Sequence, residues 1–427
     1  MPTYKDAHSV KYTLRSLSRQ TLPADQFEVV LICDGPGEGY EGIEEYAQGI
    51  DLQITVLPRR RGRSAARNAG LAEAVGQTVL FLDSDCYAHP ELLSRHVAFH
   101  EGQSTPRVLL GVRHELDFVQ LGFVHRDEPV PDELLTQVRE GTRFLGVLET
   151  DLAKCMETPW LFAHSNNVSV PAETLAEIGG FNEEFGTKWG WEDTEIFYRV
   201  YQQLGGDDRA FQTDTEAVCF HLPKYRDPRR EYLDFFDNQA AVKRLYPHYD
   251  FELNSLRIPV TVAAKIRYYR EVIRDCVEAK ACRLAPVWTW VEPRLAEEGG
   301  RALFIGMGTN EIPLPDGTLT FDHEAPPSAT NFHLIGTEIP TQDAALDVVV
   351  SVDFWRCLQW EEFCAFLRDA TRAARTVLLV HTVDAKLPHQ PLQEQSELDF
   401  LLEVLSHDFV PTKEVTGDIT GITVRRR

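Results

Sequence analysis

Short apolar runs alternate with amphipathic segments along the first part of the chain. Runs that predict buried strands cover 27–33, 52–57, 78–82 and 108–112. Apolar residues at helical spacing cover 9–17 and 64–74. Buried strands that alternate with helices are typical of a mostly parallel sheet with helices on both faces. The pattern therefore predicts an α/β domain at 1–224.

The pattern changes after this domain and then returns. Residues 231–245 and 260–281 have the spacing of amphipathic helices, which predicts a helical linker or subdomain at 225–298. Further apolar runs predict strands at 302–305, 319–322, 346–351 and 376–380, with a helix at 361–374. The sequence thus predicts a second, Rossmann-like α/β domain at 299–427.

Charge and cysteine content exclude several classes of protein. The 427 residues include 43 Lys and Arg against 66 Asp and Glu, a net charge of −23, which disfavours binding to nucleic acid or to anionic membranes. No apolar run is long enough for a transmembrane helix, and no signal peptide is visible, so we expect a cytoplasmic protein. The eight cysteines lack close pairs, which favours reduced core thiols and makes zinc unlikely. The oligomeric state is open, and a homo-oligomer is compatible with the sequence.

The D-x-D sequence at Asp83-Ser84-Asp85 directly follows the apolar run 78–82. Ligands bind at the carboxyl edge of open α/β sheets, and two carboxylates one residue apart can hold Mg²⁺ or Mn²⁺ beside a diphosphate. The alternative is a solvated acidic turn that caps the next helix. The motif alone does not decide between the two.

A cationic stretch stands out in this acidic chain. Arginines occupy 59–61, 63 and 67, and Asn68 follows. Guanidinium groups bind phosphate through paired hydrogen bonds, so the stretch indicates phosphate recognition. The alternative is a solvated loop.

Two later segments carry further candidates for chemistry. Trp189 and Trp191 precede the adjacent acids Glu192 and Asp193, a combination suited to sugar stacking and general base catalysis. The alternative is an aromatic core segment before a helix whose first turn favours acids. His221 ends the apolar run 217–220 and is a candidate metal ligand, or an ordinary structural histidine.

Six short motifs occur in the order found in one family of enzymes. They are Pro2-Thr3-Tyr4, Cys33-Asp34-Gly35, the segment 62–70, Leu82-Asp83-Ser84-Asp85, Gly179-Gly180-Phe181 and the segment 189–195. Over residues 1–225 the chain resembles glycosyltransferase family 2, and its later part resembles the C-terminal segment of galactosyltransferases. The resemblance implies a GT-A fold with a mixed, mostly parallel sheet. It also implies a nucleotide-diphosphate sugar donor, most simply UDP-linked, and Mn²⁺ or Mg²⁺. It implies inverting transfer to a hydroxyl acceptor, which is a saccharide, a peptide or a small molecule.

The resemblance also implies roles for single residues. Nucleotide-sugar binding falls to Asp34, Arg63, Arg67, Asn68 and Asp83. Metal binding falls to Asp85, Asp83 and His221. Asp193 is expected to be the general base, with Glu192, Trp189 and Trp191 at the acceptor. The region 115–158 matches no known motif and is expected to shape the acceptor site.

The chain departs from the family at two places. Members usually have an apolar strand before Pro2-Thr3-Tyr4, whereas only Met1 precedes it here, so we expect further apolar residues upstream in the natural chain. Otherwise neighbouring segments must fill the gap, because unpaired strand edges are costly to bury. Cys33 stands where many members have a second acid, which leaves Asp34 alone for nucleoside recognition.

The second domain resembles class I S-adenosylmethionine methyltransferases at 303–310, at Asp322 and at 346–351. It departs from them at Phe304, where an acid is usual, and at Asn310, where a glycine is usual. The connection 308–319 is also too short for a crossover helix. We therefore expect a degenerate domain that serves assembly or acceptor binding, with S-adenosylmethionine unlikely. A bifunctional enzyme and a decayed, non-catalytic scaffold remain the alternatives.

Overall fold

A computed structural model describes residues 1–36, 39–116, 118–126, 156–224, 227–253, 259–383, 387 and 395–427. Their contacts divide the chain into two compact units. Unit 1 is Met1–Val242 with Ile258–Ala263, and unit 2 is Lys243–Arg257 with Ala264–Arg427. The three-part division by sequence, with a separate helical linker, stays a prediction.

The described residues of unit 1 form eight strands, and most of the helices alternate with them. The strands are β1 (Pro2–Thr3), β2 (Glu28–Cys33), β3 (Asp51–Val56), β4 (Thr78–Leu82), β5 (Cys86–Ala88), β6 (Val108–Glu115), β7 (Asn167–Pro171) and β8 (Phe211–His221). The helices are α1 (Ala7–Leu17), α2 (Arg63–Glu73), α3 (Leu92–Glu101), α4 (Phe118–His125), α5 (Ala172–Glu177) and α6 (Glu192–Gln203). A seventh helix, α7 (Pro228–Leu245), reaches the boundary with unit 2.

The strands of unit 1 form two sheets, and only the first of them is parallel as the sequence predicted. The sheet β1-β2-β3 is parallel. In the sheet β4-β7-β6-β8-β5, only β6 and β8 are parallel neighbours, and the other pairings are antiparallel. The prediction of a mostly parallel sheet was therefore wrong for the second sheet. Alternating apolar runs and helices do not reveal the direction in which a strand such as β7 enters a sheet.

The apolar face of each helix covers these sheets as its spacing predicts. Val10, Leu14 and Leu17 of α1 are buried in a core that also contains Val29 and Leu31 of β2. Apolar residues that recur every three to four positions bring one helical face onto the sheet.

A cavity lies along the edges of β2 and β4. Its volume is about 870 Å³, and Val29, Val30 and residues 78–82 line it together with residues of α2 and α3. The two residues of β1 pair only with Ile32 and Cys33 at the end of β2. The expectation of further residues before Met1 stays a prediction.

Unit 2 is a second α/β fold, as the sequence predicted. Its strands are β9 (Ala302–Ile305), β10 (Leu319–Phe321), β11 (Leu346–Val352), β12 (Ala374–Thr382), β13 (Phe409–Thr416) and β14 (Ile419–Arg426). Its helices are α8 (Tyr249–Glu252), α9 (Pro259–Glu278), which starts in the short segment assigned to unit 1, α10 (Trp288–Glu298), α11 (Trp360–Ala373) and α12 (Gln395–Leu405).

The sheet of unit 2 is mixed, with the order β10-β9-β11-β12-β14-β13. The first four strands are parallel, and β14 runs antiparallel to both of its neighbours. Only a 3₁₀ turn, Thr309–Glu311, lies between β9 and β10, so the predicted lack of a crossover helix is confirmed. No helix among the described residues has both the length and the apolar character needed to cross a membrane.

Most of the cysteines lie where the sequence predicted, as reduced core thiols. Six of the seven described cysteines are free and buried, and the exception is Cys364 on α11, which is exposed. Cys155 lies outside the described residues.

A buried polar network connects α3 to the second sheet of unit 1. Asn167 Nδ2 donates hydrogen bonds to the carbonyl oxygens of Val112, at 3.1 Å, and Ala217, at 2.8 Å. Its Oδ1 therefore accepts from His96 Nε2 at 2.9 Å, and His96 Nδ1 lies 2.7 Å from the Ser169 hydroxyl, which is also 2.8 Å from His100 Nε2. A neutral His96 with its proton on Nε2 satisfies these contacts and places no charge in the buried site.

This network makes unit 1 sensitive to acid. Burial lowers the pKa of His96 from 6.5 to about 4. Between these values the unfolded chain binds a proton that the folded chain does not, so stability must fall as the pH falls. We expect a loss of up to roughly 3 kcal/mol across this window. Urea unfolding at a series of pH values measures it.

The substitution His96→Gln should flatten the part of this pH dependence that His96 causes. The exposed His407 provides a matched control, because His407→Gln should retain the wild-type slope. An unchanged slope in His96→Gln would contradict the assignment.

Candidate functional site

One group of candidate residues lies at the ends of neighbouring strands of unit 1. His221 ends β8, and it lies opposite Glu115 of β6 and Cys86 of β5 in the sheet register. Asp85 directly precedes Cys86, so the pairing of three strands brings Asp85, Glu115 and His221 together. The sequence had placed Asp85 and His221 at strand ends, and the register explains why they meet.

His221 contacts both acids of this group. Its Nε2 lies 3.3 Å from Asp85 Oδ2, and its Nδ1 lies 2.6 Å from Glu115 Oε2. Lys224 also forms an ion pair with the Asp85 carboxylate. Burial alone would raise the pKa of Asp85, but the contacts with His221 and Lys224 outweigh it and hold the pKa well below its usual value.

The donor atoms of this group suit a divalent cation. Asp85 is buried, and its Oδ2 makes ion-pair contacts without a hydrogen bond of normal geometry. Carboxylate oxygens are hard ligands that Mg²⁺ and Mn²⁺ prefer, and an imidazole nitrogen is a common partner for transition metals such as Mn²⁺. Asp85 and the Nε2 atom of His221 therefore fit the metal that the sequence implied, while Glu115 holds the opposite ring nitrogen and orients the imidazole.

Arg67 connects the two acidic segments of the sequence. Its guanidinium lies 3.3 Å from Asp83 Oδ1, 3.7 Å from Glu192 Oε1 and 3.7 Å from Asp193 Oδ1. The side chain is only 3% exposed, and it lies over the Phe181 ring. Burial opposes its charge, but the three carboxylates outweigh burial and raise the pKa of Arg67. Asp83 thus lies on the same side of unit 1 as Glu192 and Asp193.

A left-handed turn places the second acidic segment. Gly190 has φ 92° and Trp191 has φ 74°, after which α6 begins at Glu192. The helix N-terminus favours negative side chains in this first turn. Burial, followed by the charge of Asp193, raises the pKa of Glu192.

Asp193 is held by neighbours on several sides. The Ser165 hydroxyl donates a hydrogen bond to Asp193 Oδ1, and His164 Nδ1 lies 3.9 Å from Oδ2. With Arg67 on Oδ1 as well, the carboxylate has a fixed orientation, while its side chain remains 22% exposed and accessible. A positioned, accessible carboxylate can accept a proton from a bound alcohol.

Asp34 positions the arginine-rich stretch. Its two carboxylate oxygens accept hydrogen bonds from the backbone N–H groups of Arg61, at 2.6 Å, and Gly62, at 2.9 Å. The arginines at 59–61 and 63 are exposed, so their side chains point to solvent rather than into the core. Asp34 is predicted to bind the nucleoside, and in this structure it fixes the loop that presents these cations.

Two other predicted site residues have structural contacts. Asn68 exchanges hydrogen bonds with the backbone of Phe181, its Oδ1 accepting from the Phe181 N–H at 2.7 Å, and thereby connects α2 to the segment before α6. Trp191 is 4% exposed and packs against Phe235 at 5.2 Å between ring centroids, so it has little surface for an acceptor. Trp189 is half-buried and keeps an accessible part. The part of the predicted acceptor region at 127–155 lies outside the described residues.

Several residues of the site were missed from the sequence. They are Glu115, His164, Ser165 and Lys224. Glu115 could have been found, because it follows the predicted strand 108–112 by three residues, as His221 follows its own apolar run. His164 and Ser165 precede β7, whose antiparallel entry beside β4 the sequence did not reveal.

The geometry defines a class of protein, namely an α/β enzyme in which acids and a buried arginine surround an accessible carboxylate near exposed cations. Comparison with known proteins narrows the class. Residues 1–135 match the family model for Glycosyl transferase family 2.

Two relatives carry names that fit this family. Validoxylamine A glucosyltransferase of Streptomyces hygroscopicus subsp. jinggangensis is 31% identical over 214 residues, which are 47% of this chain and 50% of that protein. Poly(ribitol-phosphate) beta-N-acetylglucosaminyltransferase TarS of Staphylococcus aureus is 30% identical over 115 residues, which are 26% of this chain and 20% of that protein. This chain spans about half the length, or less, of these two relatives.

The crystal structure of the mannosyltransferase PcManGT from Pyrobaculum calidifontis, in complex with GDP-Man and Mn²⁺, aligns with a TM-score of 0.42 and 17% identity. The alignment covers 69% of this chain and 78% of that chain. The family model and the two sequence relatives agree in showing that the N-terminal half of the chain is similar to glycosyltransferases of family 2. None of these names is that of a methyltransferase.

The bridging role of Arg67 predicts a large effect on stability. Arg67→Met should lower the free energy of unfolding by about 3–5 kcal/mol, because it leaves buried carboxylates without a counter-charge. Adding Asp83→Asn should recover part of the loss. Chemical denaturation measures both effects.

Arg61 provides the matched control, since its ion pair with Glu183 has side chains that are 46% and 40% exposed. Arg61→Met should change stability by less than about 1 kcal/mol. Equal effects of the two substitutions would show that Arg67 has no special role.

Proposed function

We propose that the protein is a metal-dependent, inverting glycosyltransferase that moves a hexose from a nucleotide diphosphate to a hydroxyl group. The observation that carries the proposal is the contact of one buried guanidinium, that of Arg67, with acids from both segments. Asp83, which we place beside the sugar donor, and Asp193, which we place beside the acceptor, therefore both contact the side chain of Arg67.

The diphosphate of the donor is an anion, and the chain as a whole carries a net charge of −23. Binding of the diphosphate therefore needs a local group of cations. The exposed arginines at 59–61 and 63 supply them at the start of α2. Paired N–H donors of arginine match phosphate oxygens, and the N-terminal end of a helix favours an anion. We assign the diphosphate to this side of the site, with Asp83 beside the ribose.

We assign the divalent cation to Asp85 and His221 Nε2, with Asp83 nearby in sequence and Glu115 orienting the imidazole through Nδ1. When bound, the cation would neutralise charge that develops on the departing diphosphate. Lys224 now contacts the Asp85 carboxylate. A divalent cation would compete with its ammonium group for that ligand.

Asp193 is the residue that we assign as general base. The acceptor oxygen attacks the anomeric carbon as the bond to the diphosphate breaks on the opposite face, which inverts the configuration. Asp193 takes the proton from the acceptor hydroxyl in this step. Ser165 and Arg67 keep the carboxylate oriented, and the accessible part of Trp189 offers a surface for an acceptor.

The names of the relatives support a hexose donor. The first relative's name specifies glucosyl transfer to a small molecule, and the second specifies transfer of N-acetylglucosamine to a polymer. We propose UDP as the nucleotide and leave the acceptor as an alcohol of one of these kinds.

For unit 2 we propose a role other than methyl transfer. Both carboxylate oxygens of Asp322 accept hydrogen bonds from backbone N–H groups of this chain. Oδ2 accepts from Thr309 at 2.8 Å, and Oδ1 accepts from Glu324 at 2.9 Å. The space beside Gly308 is filled, because a Cβ there would lie 2.6 Å from Arg283 Nη2. Contacts within the chain therefore occupy the two positions, Asp322 and Gly308, at which the resemblance would place S-adenosylmethionine. This favours a single glycosyltransferase activity over a bifunctional enzyme.

The donor assignment predicts the outcome of a thermal-shift screen of UDP-, GDP- and dTDP-sugars with and without Mn²⁺. UDP-sugars should raise the melting temperature, and most of the increase should require Mn²⁺, because bound ligand stabilises the folded state. Asp85→Asn should lose the Mn²⁺-dependent part. The control Asp214→Asn removes an acid that pairs with Arg95 instead, and it should keep the increase. Stabilisation that survives chelation would contradict the metal assignment.

The base assignment predicts that Asp193→Asn lowers the rate of sugar transfer by about 10²- to 10⁴-fold, since an amide cannot accept the proton. Binding of the nucleotide should survive, because Asp193 lies on the acceptor side. Release of nucleoside diphosphate, with the donor from the screen and a panel of alcohols, measures transfer.

Glu184→Gln is a suitable control for this variant, as Glu184 is an exposed acid nearby in sequence. It should transfer at the wild-type rate. If Asp193→Asn also did so, Asp193 would not be the base.

A further inference from the structure

Three buried thiols meet in unit 2. Cys276 Sγ lies 4.0 Å from Cys357 Sγ and 3.9 Å from Cys282 Sγ. All three sulfur atoms lie within 4.8 Å of one another, and each residue is at most 2% exposed. They come from three places, namely α9, the turn that follows it and the 3₁₀ turn Phe354–Cys357 after β11.

The sulfur separations match those around a tetrahedral zinc ion. Zn–S bonds of about 2.3 Å at tetrahedral angles place neighbouring sulfurs about 3.8 Å apart. The two measured distances, 3.9 and 4.0 Å, are close to this value, and the third pair lies within 4.8 Å, so the three sulfur atoms have the spacing that one zinc ion needs. An ordinary apolar core does not require three thiols at one point.

The backbone is strained at one of the three cysteines. Cys282 has φ 56°, in the left-handed region that a residue with a Cβ occupies at a cost of roughly 1–2 kcal/mol. Its carbonyl oxygen accepts a hydrogen bond from the Met307 N–H at 2.8 Å, which fixes the turn against the end of β9. Strain of this kind persists at functional sites when the surrounding structure imposes it.

The cluster lies at the edge of the sheet where ligands bind in folds of this type. β9 pairs with β10 on one side and with β11 on the other. The order of strands in the sheet therefore changes direction between β9 and β11. The crevice beyond the carboxyl ends of two such strands is the usual ligand site. Cys282 contacts the residue Met307, just beyond β9, and Cys357 follows β11.

We propose that Cys276, Cys282 and Cys357 together bind one Zn²⁺ ion as thiolates, with a water molecule or other small ligand in the fourth position. Thiolates select soft or borderline metals such as Zn²⁺ over Mg²⁺ or Mn²⁺. The site is thus distinct in chemistry from the oxygen and nitrogen donors around Asp85. The absence of closely spaced cysteine pairs argued against zinc, but that argument does not apply to ligands that distant segments bring together.

One charged side chain lies beside the cluster in sequence, because the buried Arg356 directly precedes Cys357. Its ion pair with Asp353, at 2.8 Å, holds the guanidinium in place. Thiolate is the form of cysteine that binds zinc, so zinc binding would release the thiol protons.

The test uses the full-length chain, purified under reducing conditions, saturated with Zn²⁺ and then desalted. Elemental analysis should find about one zinc per chain. Replacement by Co²⁺ should give an intense thiolate-to-metal absorption band. Cys282→Ser and Cys276→Ser should lose the band and the zinc, whereas the exposed Cys364→Ser and the variant Asp85→Asn should keep both.

X-ray absorption of the wild-type zinc protein makes the test independent of whether the serine variants fold. Three sulfur ligands at about 2.3 Å would support the site. Wild-type protein that retains no zinc, whether its thiols are free or joined in a disulfide, would overturn the proposal. Zinc bound without sulfur ligands, or retained equally by the Cys276→Ser and Cys282→Ser variants, would also overturn it.

Discussion

The buried guanidinium of Arg67 is the constraint on which the site of unit 1 depends. Taking a cation out of water is costly, and only close carboxylates can offset that cost. Asp83, Glu192 and Asp193 do so from two segments more than a hundred residues apart in sequence. The end of β4 and the start of α6 must therefore keep their relative positions wherever the ion cluster is intact.

The planar shape of the arginine side chain is part of this constraint. A guanidinium presents several N–H groups in fixed directions, so it can contact acids on opposite sides, whereas the ammonium of lysine is a compact point charge. Arg67 is also held over the ring of Phe181, whose backbone is bound by Asn68. Residues that the sequence assigned to ligand binding thus also build the site, and the two roles are compatible because Asp83 and Asp193 keep exposed surface.

The elements of the fold were largely predictable from the sequence, and the contacts between them only in part. Strands such as 78–82 and 302–305 have the bounds that their apolar runs predicted. The contact between Asp85 and His221 could be predicted, because each residue follows an apolar run that predicts a strand. The position of Ser165 and the burial of Trp191 could not be predicted. Ser165 depends on the direction in which β7 enters the sheet, and Trp191 on its packing against Phe235, and single apolar runs specify neither.

Strand ends explain how Asp85 and His221 come together in unit 1. Backbone hydrogen bonds fix the interior of a strand, so its apolar side chains are used for packing, and polar groups are tolerated more easily where the strand stops. Neighbouring strands stop at a common edge, which brings residues together from any separation in sequence. The thiols of unit 2 meet differently, because Cys282 lies in the turn after α9 and Cys357 in the 3₁₀ turn after β11. Spacing rules developed for local motifs detect neither group, and an alignment of predicted strand ends would detect only the first.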